Sequence, residues 1–165
     1  MDRHAIILAS TSHSRRTLLS NAGIKFDSLD ASVDEDAIKD AFIGQDDIQD
    51  IADVAMILAQ AKAMTVSEQN PDSWVIGADQ VLILDGELFS KPGSDDEARG
   101  QLLKLSGKTH ALETAVACAK GGEIVWSYRE APLLTMRALT PQFIGRYLAA
   151  VGADVTTTVG GYKLE

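Results

Sequence analysis

The chain has 165 residues, of which 45% are hydrophobic, so it is long enough to bury the core of a single domain. Its formal net charge of −9 argues against a protein that coats a nucleic-acid polymer. The charge still permits a small anion held by a local group of lysines and arginines with the support of a metal ion. No apolar run is as long as a membrane span, and the first residues lack the apolar region of a signal peptide.

The number of cysteines excludes further classes of protein. Cys118 is the only cysteine, which excludes an intramolecular disulfide and a cysteine-based zinc cluster. It stands in an apolar run, so we expect a buried structural thiol and not a nucleophile. Together with the absence of a membrane signal, this predicts a cytoplasmic protein with no membrane partner.

The N-terminal segment predicts a strand, a loop of small polar residues and a helix. The strand is expected over residues 5–9. The helix is expected over Arg15–Ala22, with Leu18 and Leu19 pointing inward and Gly23 ending it. Such a loop presents backbone N–H groups and a helix N-terminus to an anion.

Two arginines open this helix, where positive charge opposes the helix dipole. A phosphate bound at the loop of residues 10–14 would remove the conflict. The alternative is that both side chains project into solvent, and we favour that alternative for Arg16. Ser14 is the expected N-cap and His13 a loop residue.

A second strand is expected within residues 24–32, followed by the acidic run Val33–Asp36. Such a run is either a solvated loop or a place where a hard cation such as Mg²⁺ is held. A helix opened by two aspartates is predicted over about residues 48–67, and Lys62 falls on its apolar face. This lysine either snorkels at the edge of the core or points its charge into a cleft.

The central stretch contains a carboxylate between two apolar runs. Asp79 follows Trp74–Ile76 and precedes Val81–Leu84, and Asp85-Gly86 predicts a hairpin turn after them. Because an unpaired charge is costly in an apolar run, Asp79 is expected to face a cleft, a metal or a cation. The alternative is that Asp79 caps a turn and Gly77 only relieves crowding.

The second half of the chain alternates helix and strand signals. Ser94 and Glu97 form a capping box for a helix to about Leu105, and Thr140 with Pro141 opens another to about Ala150. The expected strands are residues 109–119 and 123–129, which form a hairpin, residues 133–138, and residues 159–165 as a strand or active loop.

Eight segments together resemble the Maf family of nucleoside triphosphate pyrophosphatases. They are Leu8–Leu19, Val33–Glu35, Leu58–Ala63, Ile76–Val81, Leu84–Gly86, Ser90–Pro92, Leu105–His110 and Gly160–Glu165. The resemblance implies one α/β domain over residues 1–165, with a mixed, elongated, twisted sheet flanked by helices and two lobes around a central cleft. It also implies hydrolysis between the α- and β-phosphates, giving a nucleoside monophosphate and pyrophosphate with a divalent cation, Mg²⁺ or Mn²⁺.

The resemblance also implies catalytic roles. Glu35 and Asp79 would bind the metal, and Asp79 could also orient the attacking water. Lys62 and Lys91 would hold the polyphosphate. These roles agree with the needs of phosphoryl transfer, which are positioning and positive charge around the phosphates.

Substrate contacts are implied for Ser10, Ser12, Arg15 and Glu165. Glu165 falls where many relatives carry glutamine, and this feature, with Gln80 and the Ser12–Arg16 spacing, favours the 7-methyl-GTP branch over the dTTP/UTP branch. Base selection depends on the shape of the pocket, so both branches stay open.

Two departures from the family pattern bear on function. His13 stands where proline is usual, which predicts a less rigid loop. The family continues past the Gly-Tyr motif with a strand and a closing helix, so the resemblance predicts that this segment is missing here and that a sheet edge is exposed. A homodimer is possible. The alternative function is a non-catalytic nucleotide-binding regulator of septum formation.

Overall fold

The structure is a computed structural model that describes residues 5–41 and 48–163. The chain divides into two compact units. The first unit comprises the described residues up to Gln80 together with Thr114–Glu130. The second unit comprises Val81–Glu113 and the described residues from Ala131 onward. Within the described ranges, no helix is both long and apolar enough to cross a membrane.

The described chain contains five α-helices and seven strands. The strands are β1 Ile6–Ala9, β2 Asp27–Leu29, β3 Trp74–Leu84, β4 Glu87–Phe89, β5 Thr109–Lys120, β6 Glu123–Glu130 and β7 Leu133–Thr135. The helices are α1 His13–Asn21, α2 Glu35–Asp40, α3 Ile48–Gln69, α4 Asp95–Leu105 and α5 Pro141–Val151. Two 3₁₀ helices follow, at Gly152–Thr157 and Val159–Gly161.

The strands form one mixed sheet. Its order is β2-β1-β3-β5-β6, with β4 paired to β3 and β7 paired to β5. β1 lies parallel to both β2 and β3, whereas β4, β6 and β7 pair antiparallel with their neighbours. The predicted α/β class with a mixed sheet flanked by helices is therefore confirmed.

In the first unit, the long helix α3 turns an alanine-rich face inward. Val54, Ala55, Leu58, Ala59 and Ala63 are all fully buried, at the spacing of one helix face. Small side chains on this face let the helix approach the sheet closely. This close approach brings α3 within reach of the polar groups on β3.

In the second unit, local turn and capping signals behave as predicted. The Asp85-Gly86 turn has positive φ at both residues, 52° and 81°, which the tight β3–β4 hairpin requires. Ser94 Oγ accepts a hydrogen bond from the backbone N–H of Glu97 at 3.2 Å. Thr140 Oγ1 caps α5 in the same way through Phe143. Short-range chemistry therefore decides where these elements begin and end.

The start of α1 differs from the prediction. The helix begins at His13 with Ser12 as N-cap, so Ser14 is not the cap and His13 is not a loop residue. Leu18 is 69% exposed and does not point inward. The partly buried residues Arg15 and Leu19, one helical turn apart, lie on the side of α1 that faces the protein, and Leu18 lies off that side.

In three other segments the structure corrects a predicted boundary or decides the local conformation that the sequence left open. The acidic run forms the start of α2, because the side chain of Asp34 accepts a hydrogen bond from the backbone of Ala37 and caps the helix. β7 ends at Thr135, earlier than expected. Of the two alternatives for residues 159–165, the strand is excluded over residues 159–161, which form a 3₁₀ turn, since Gly160 has a φ of 80° that extended backbone does not allow.

Cys118 is half-buried on β5, where burial was predicted. Burial raises the pKa of its thiol above the ordinary value. A thiol with a raised pKa forms less thiolate at neutral pH, which fits the structural role expected from the sequence.

Candidate active site

The site begins with a close contact between α3 and β3. A Cβ atom added to Gly77 would overlap the backbone oxygen of Ala59 and lie 2.7 Å from the backbone nitrogen of Ala63. The strand therefore meets the helix backbone directly at this glycine. Asp79 lies two residues further along β3, so it points to the same side of the sheet. The crowding at Gly77 that the alternative reading assumed is therefore present, and it is compatible with an Asp79 that faces a cation.

This close contact brings a lysine and an aspartate together in the interior. Lys62 Nζ lies 2.6 Å from Asp79 Oδ1, and the two residues are only 6% and 5% exposed. Asp79 stands inside the continuous strand β3, so it does not cap a turn. The sequence prediction that Asp79 faces a cation is therefore confirmed, and that cation is the ammonium of Lys62.

A second carboxylate shares the same lysine. Glu35, the first residue of α2, places Oε1 2.7 Å from Lys62 Nζ, and its Oε2 lies 3.4 Å from Lys39 Nζ. Burial acts to raise the pKa of Glu35, but the hydrogen bonds and charges of Lys62 and Lys39 outweigh it and hold the pKa below its ordinary value. Glu35 is therefore ionised at neutral pH, and the Lys62 ammonium lies between two carboxylates.

The end of β1 and the start of α1 supply the next polar groups. Arg15 donates from Nη1 to Ser10 Oγ at 3.2 Å, and its Nη2 lies 3.8 Å from Asp79 Oδ1. The backbone N–H of Ser12 donates to the same Ser10 oxygen at 3.2 Å. Ser28 on β2 fixes this turn by donating to the backbone oxygen of Ser10 at 2.6 Å. Arg16 is exposed, as favoured from the sequence.

The charges around this group are nearly balanced. Three cations, Arg15, Lys39 and Lys62, face the two carboxylates Glu35 and Asp79. The one excess positive charge occurs in a chain whose net charge is −9. This excess counts the ion-paired groups alone, since Asp34 and Asp36 also flank Glu35 at the start of α2. Cations grouped in this way are what an anion would need against the acidic background.

The donor set also fits a divalent cation of a particular kind. Among the described residues there is no group of three or more His, Cys, Asp and Glu side chains that would form a closed metal cage. Mg²⁺ is commonly held by one or two carboxylates while water and substrate phosphates complete its shell. Glu35 and Asp79 already share one cation, the Lys62 ammonium, so their oxygens suit this open mode of binding.

The structure brings together five of the eight predicted site residues. Ser10, Arg15, Glu35, Lys62 and Asp79 form the group described above. Ser12 contributes its backbone N–H and stands at the N-cap position of α1, where its side chain makes no capping hydrogen bond. Lys91 is exposed just after β4 in the second unit. Glu165 lies outside the described residues.

Two residues of the site were missed by the sequence analysis. Lys39 stands four residues after Glu35, which is the spacing of an ion pair on one helix face. The spacing predicts this ion pair only if the segment is a helix, and the capping by Asp34 is what makes it one. Ser28 offered no signal, because its contact with Ser10 depends on the pairing of β1 with β2.

Comparison with known proteins places this geometry in a family. The model of the family described as Maf-like protein matches residues 5–165. A protein named 7-methyl-GTP pyrophosphatase from Brucella abortus biovar 1 (strain 9-941) is 45% identical over 160 residues, which cover 97% of this chain and 79% of that protein.

Other similar proteins carry either the general name of the activity or the same specific name. One named nucleoside triphosphate pyrophosphatase from Granulibacter bethesdensis (strain ATCC BAA-1260 / CGDNIH1) is 42% identical over 160 residues, covering 97% of this chain and 80% of that protein. Another 7-methyl-GTP pyrophosphatase, from Mesorhizobium japonicum (strain LMG 29417 / CECT 9101 / MAFF 303099), is 44% identical with 97% and 79% covered. The chain belongs to the family of Maf-like proteins.

Proposed function

We propose that this protein is a nucleoside triphosphate pyrophosphatase. It hydrolyses the bond between the α- and β-phosphates and releases a nucleoside monophosphate and pyrophosphate. The observation that carries the proposal is the buried Lys62 ammonium held by Asp79 and Glu35 beside Arg15. The names of the similar proteins, which are hydrolases of phosphoric anhydrides, support it.

Each charged residue has a task that its position suits. Asp79 accepts hydrogen bonds from an attacking water and orients it toward the α-phosphorus. Arg15 and Lys62 stabilise the negative charge that spreads over the phosphate oxygens, and their partial burial strengthens that effect. The same charge-stabilising role is proposed for Lys91.

A divalent cation, Mg²⁺ or Mn²⁺, would be held by Glu35 and Asp79. When bound, it would neutralise charge on the triphosphate and polarise the phosphoryl oxygen. Ser10, with its hydroxyl already accepting two hydrogen bonds, fixes Arg15 and the loop that receives the phosphates. Ser12 and Glu165 are proposed to contact the substrate.

The preferred substrate is proposed to be 7-methyl-GTP. Two of the similar proteins carry that name, and the sequence features at Ser12–Arg16, Gln80 and Glu165 point to the same branch. The dTTP/UTP preference is the second choice within the same reaction. A nucleotide-binding regulator of septum formation without turnover is the alternative from outside the enzyme class.

Pyrophosphate release from a panel of nucleotides tests the proposal. The panel contains 7-methyl-GTP, GTP, dTTP, UTP and dATP, each with Mg²⁺ or Mn²⁺, and chromatography identifies the products. We expect a nucleoside monophosphate and pyrophosphate, with 7-methyl-GTP the fastest. Release of inorganic phosphate and a diphosphate would contradict cleavage between the α- and β-phosphates. Binding without release from any nucleotide by the folded protein would favour the regulator.

A further inference from the structure

Lys62 occupies the position that a bound cation would take. Its Nζ lies within 2.7 Å of an oxygen of each carboxylate, Glu35 and Asp79, and its side chain is 7% exposed. Two carboxylates brought to one point, of which Asp79 is buried and Glu35 is 36% exposed, would repel each other without a cation between them. Lys62 is the cation that both share, whereas Arg15 and Lys39 each contact only one of them.

We propose that Lys62 is a built-in counterion that exchanges with the divalent metal ion. The metal takes the position between Glu35 and Asp79, and the Lys62 ammonium leaves the two carboxylates to contact a phosphate of the substrate. The inference rests on the proposed function only in that it uses the same metal site. It adds that metal and lysine compete for one pair of oxygens.

The competition has a thermodynamic consequence. A metal ion that arrives alone must break two short, charge-assisted hydrogen bonds of Lys62 and leave the ammonium without a partner. When a phosphate is present, it accepts the displaced ammonium and removes that cost. Metal and polyphosphate therefore strengthen each other's binding, and the coupling is reciprocal. The chain binds metal weakly by itself and firmly with pyrophosphate.

Metal binding by variant proteins tests the exchange without any turnover. The affinity for Mn²⁺ alone is measured by electron paramagnetic resonance or calorimetry for the wild type, Lys62→Met and Lys39→Met. Removal of the competitor in Lys62→Met is expected to raise the Mn²⁺ affinity about tenfold or more. Lys39→Met is the matched control, because it removes a cation from Oε2 of the same Glu35 without emptying the shared position. It is expected to change the affinity about twofold or less, as for a weakly coupled ion pair.

The coupling to phosphate supplies a second readout. Pyrophosphate is expected to tighten Mn²⁺ binding in the wild type more than in Lys62→Met, since only the wild type has an ammonium to relocate. An unchanged or weaker Mn²⁺ affinity in Lys62→Met would overturn the exchange. So would the absence of Mn²⁺ binding in both proteins, because the carboxylates would then attract no metal even without their lysine.

The wild-type protein provides a test that does not depend on a variant folding. Reductive methylation, read by mass spectrometry, reports how readily each lysine reacts. Labelling is done without phosphate, at a Mn²⁺ concentration that saturates the site, and is compared with labelling of a metal-free sample. With Mn²⁺ bound, the freed amine is expected to react faster, with the exposed Lys104 as reference. Equal Lys62 labelling with and without metal would overturn the proposal.

Failure of this inference and failure of the proposed function give different results. An enzyme that releases pyrophosphate but binds Mn²⁺ no better as Lys62→Met keeps its function and lacks the exchange. A protein that shows the exchange but releases pyrophosphate from no nucleotide keeps the metal site and lacks the activity.

Discussion

The two compact units bury polar groups in different ways. In the described part of the first unit, Lys62 and Asp79 are charged and almost fully buried. In the described part of the second unit, the buried polar residue is His110, whose Nε2 lies 2.5 Å from the hydroxyl oxygen of Tyr162. Burial lowers the pKa of His110 and raises that of Tyr162 to about 12, so both are neutral at pH 7.

The difference in charge between the two buried pairs indicates a different role for each. In the neutral His–Tyr pair, Nε2 of His110 has the Tyr162 hydroxyl as its partner, while Nδ1 is buried without a hydrogen-bond partner among the described residues. Tyr162 packs against an apolar cluster that includes Leu82, Leu84 and Leu105, and an unpaired neutral group of this kind costs on the order of 1–3 kcal/mol. Buried charges cost far more in lost hydration, and well-packed apolar residues would serve stability at least as well. The charges of the first unit are therefore best explained by a ligand, and the pair of the second unit by stability.

Asp79→Asn should have the largest effect, and it acts on activity. The substitution keeps the shape but removes the negative charge, so pyrophosphate release should fall by about 10²–10⁴-fold. Asp53→Asn is the control, because Asp53 pairs with Arg129 at the exposed surface of the same unit. Circular dichroism should show both variants folded. Turnover of Asp79→Asn within tenfold of the wild type would refute its catalytic role.

Gly77→Ala should disrupt the close contact that positions the charges. The added methyl overlaps the backbone of α3, so the free energy of unfolding should fall by about 1–3 kcal/mol or more. Gly100→Ala, in α4, meets no atom within 4 Å and should raise stability by about 0.5–1 kcal/mol. Urea unfolding measures both. Equal stability of the two variants would contradict the contact at Gly77.

Tyr162→Phe should weaken the second unit without touching the charged group. Loss of the hydroxyl leaves the buried Nε2 of His110 without its partner, which should cost about 1–3 kcal/mol of unfolding free energy. Tyr128→Phe on β6 is the matched control, since its ring is 53% exposed, and it should change stability by less than about 0.5 kcal/mol. Thermal unfolding separates them, and a neutral Tyr162→Phe would show that the hydrogen bond carries no stability.

Acid should lower the stability through His110 and through Glu35 in different pH ranges. This is the smallest of the four effects that we expect. The pKa values of His110 and Glu35 are both lower in the folded protein than their ordinary values of 6.5 and 4.5. As the pH falls, each group therefore becomes protonated in the unfolded chain before it does in the folded protein. The stability that each group contributes is complete above its ordinary pKa and is lost as the pH falls below that value. The loss from His110 begins below 6.5, and the loss from Glu35 below 4.5.

Urea midpoints measured from pH 8 to pH 4 give the slopes that check this order. His110→Phe should flatten the slope just below pH 6.5, and Glu35→Gln should flatten it only below pH 4.5. Slopes are compared because each variant also shifts the absolute stability. A slope that is the same in His110→Phe as in the wild type between pH 6.5 and pH 5 would exclude His110 as its source.

Much of the fold followed from local chemistry. The turn at Asp85-Gly86 needs positive φ at both residues, and the caps Ser94 and Thr140 satisfy backbone donors at helix starts, so these boundaries were predicted correctly. Leu18 was placed wrongly because the pattern of a short helix does not show which side faces the protein. A strand and a loop both stayed open for residues 159–165 because alternation alone does not reveal φ, and the turn at Gly160 excludes the strand over residues 159–161.

The sequence by itself determined the family, the α/β class and four of the five charged residues that the structure groups together, because these depend on residue type, order and spacing. Only the tertiary structure decided that Lys62 lies between Glu35 and Asp79. That arrangement depends on Gly77 lacking a Cβ atom where β3 meets α3, and on the cap that turns an acidic run into α2. Contacts between groups that are distant in the chain are set by backbone packing, which no single segment contains.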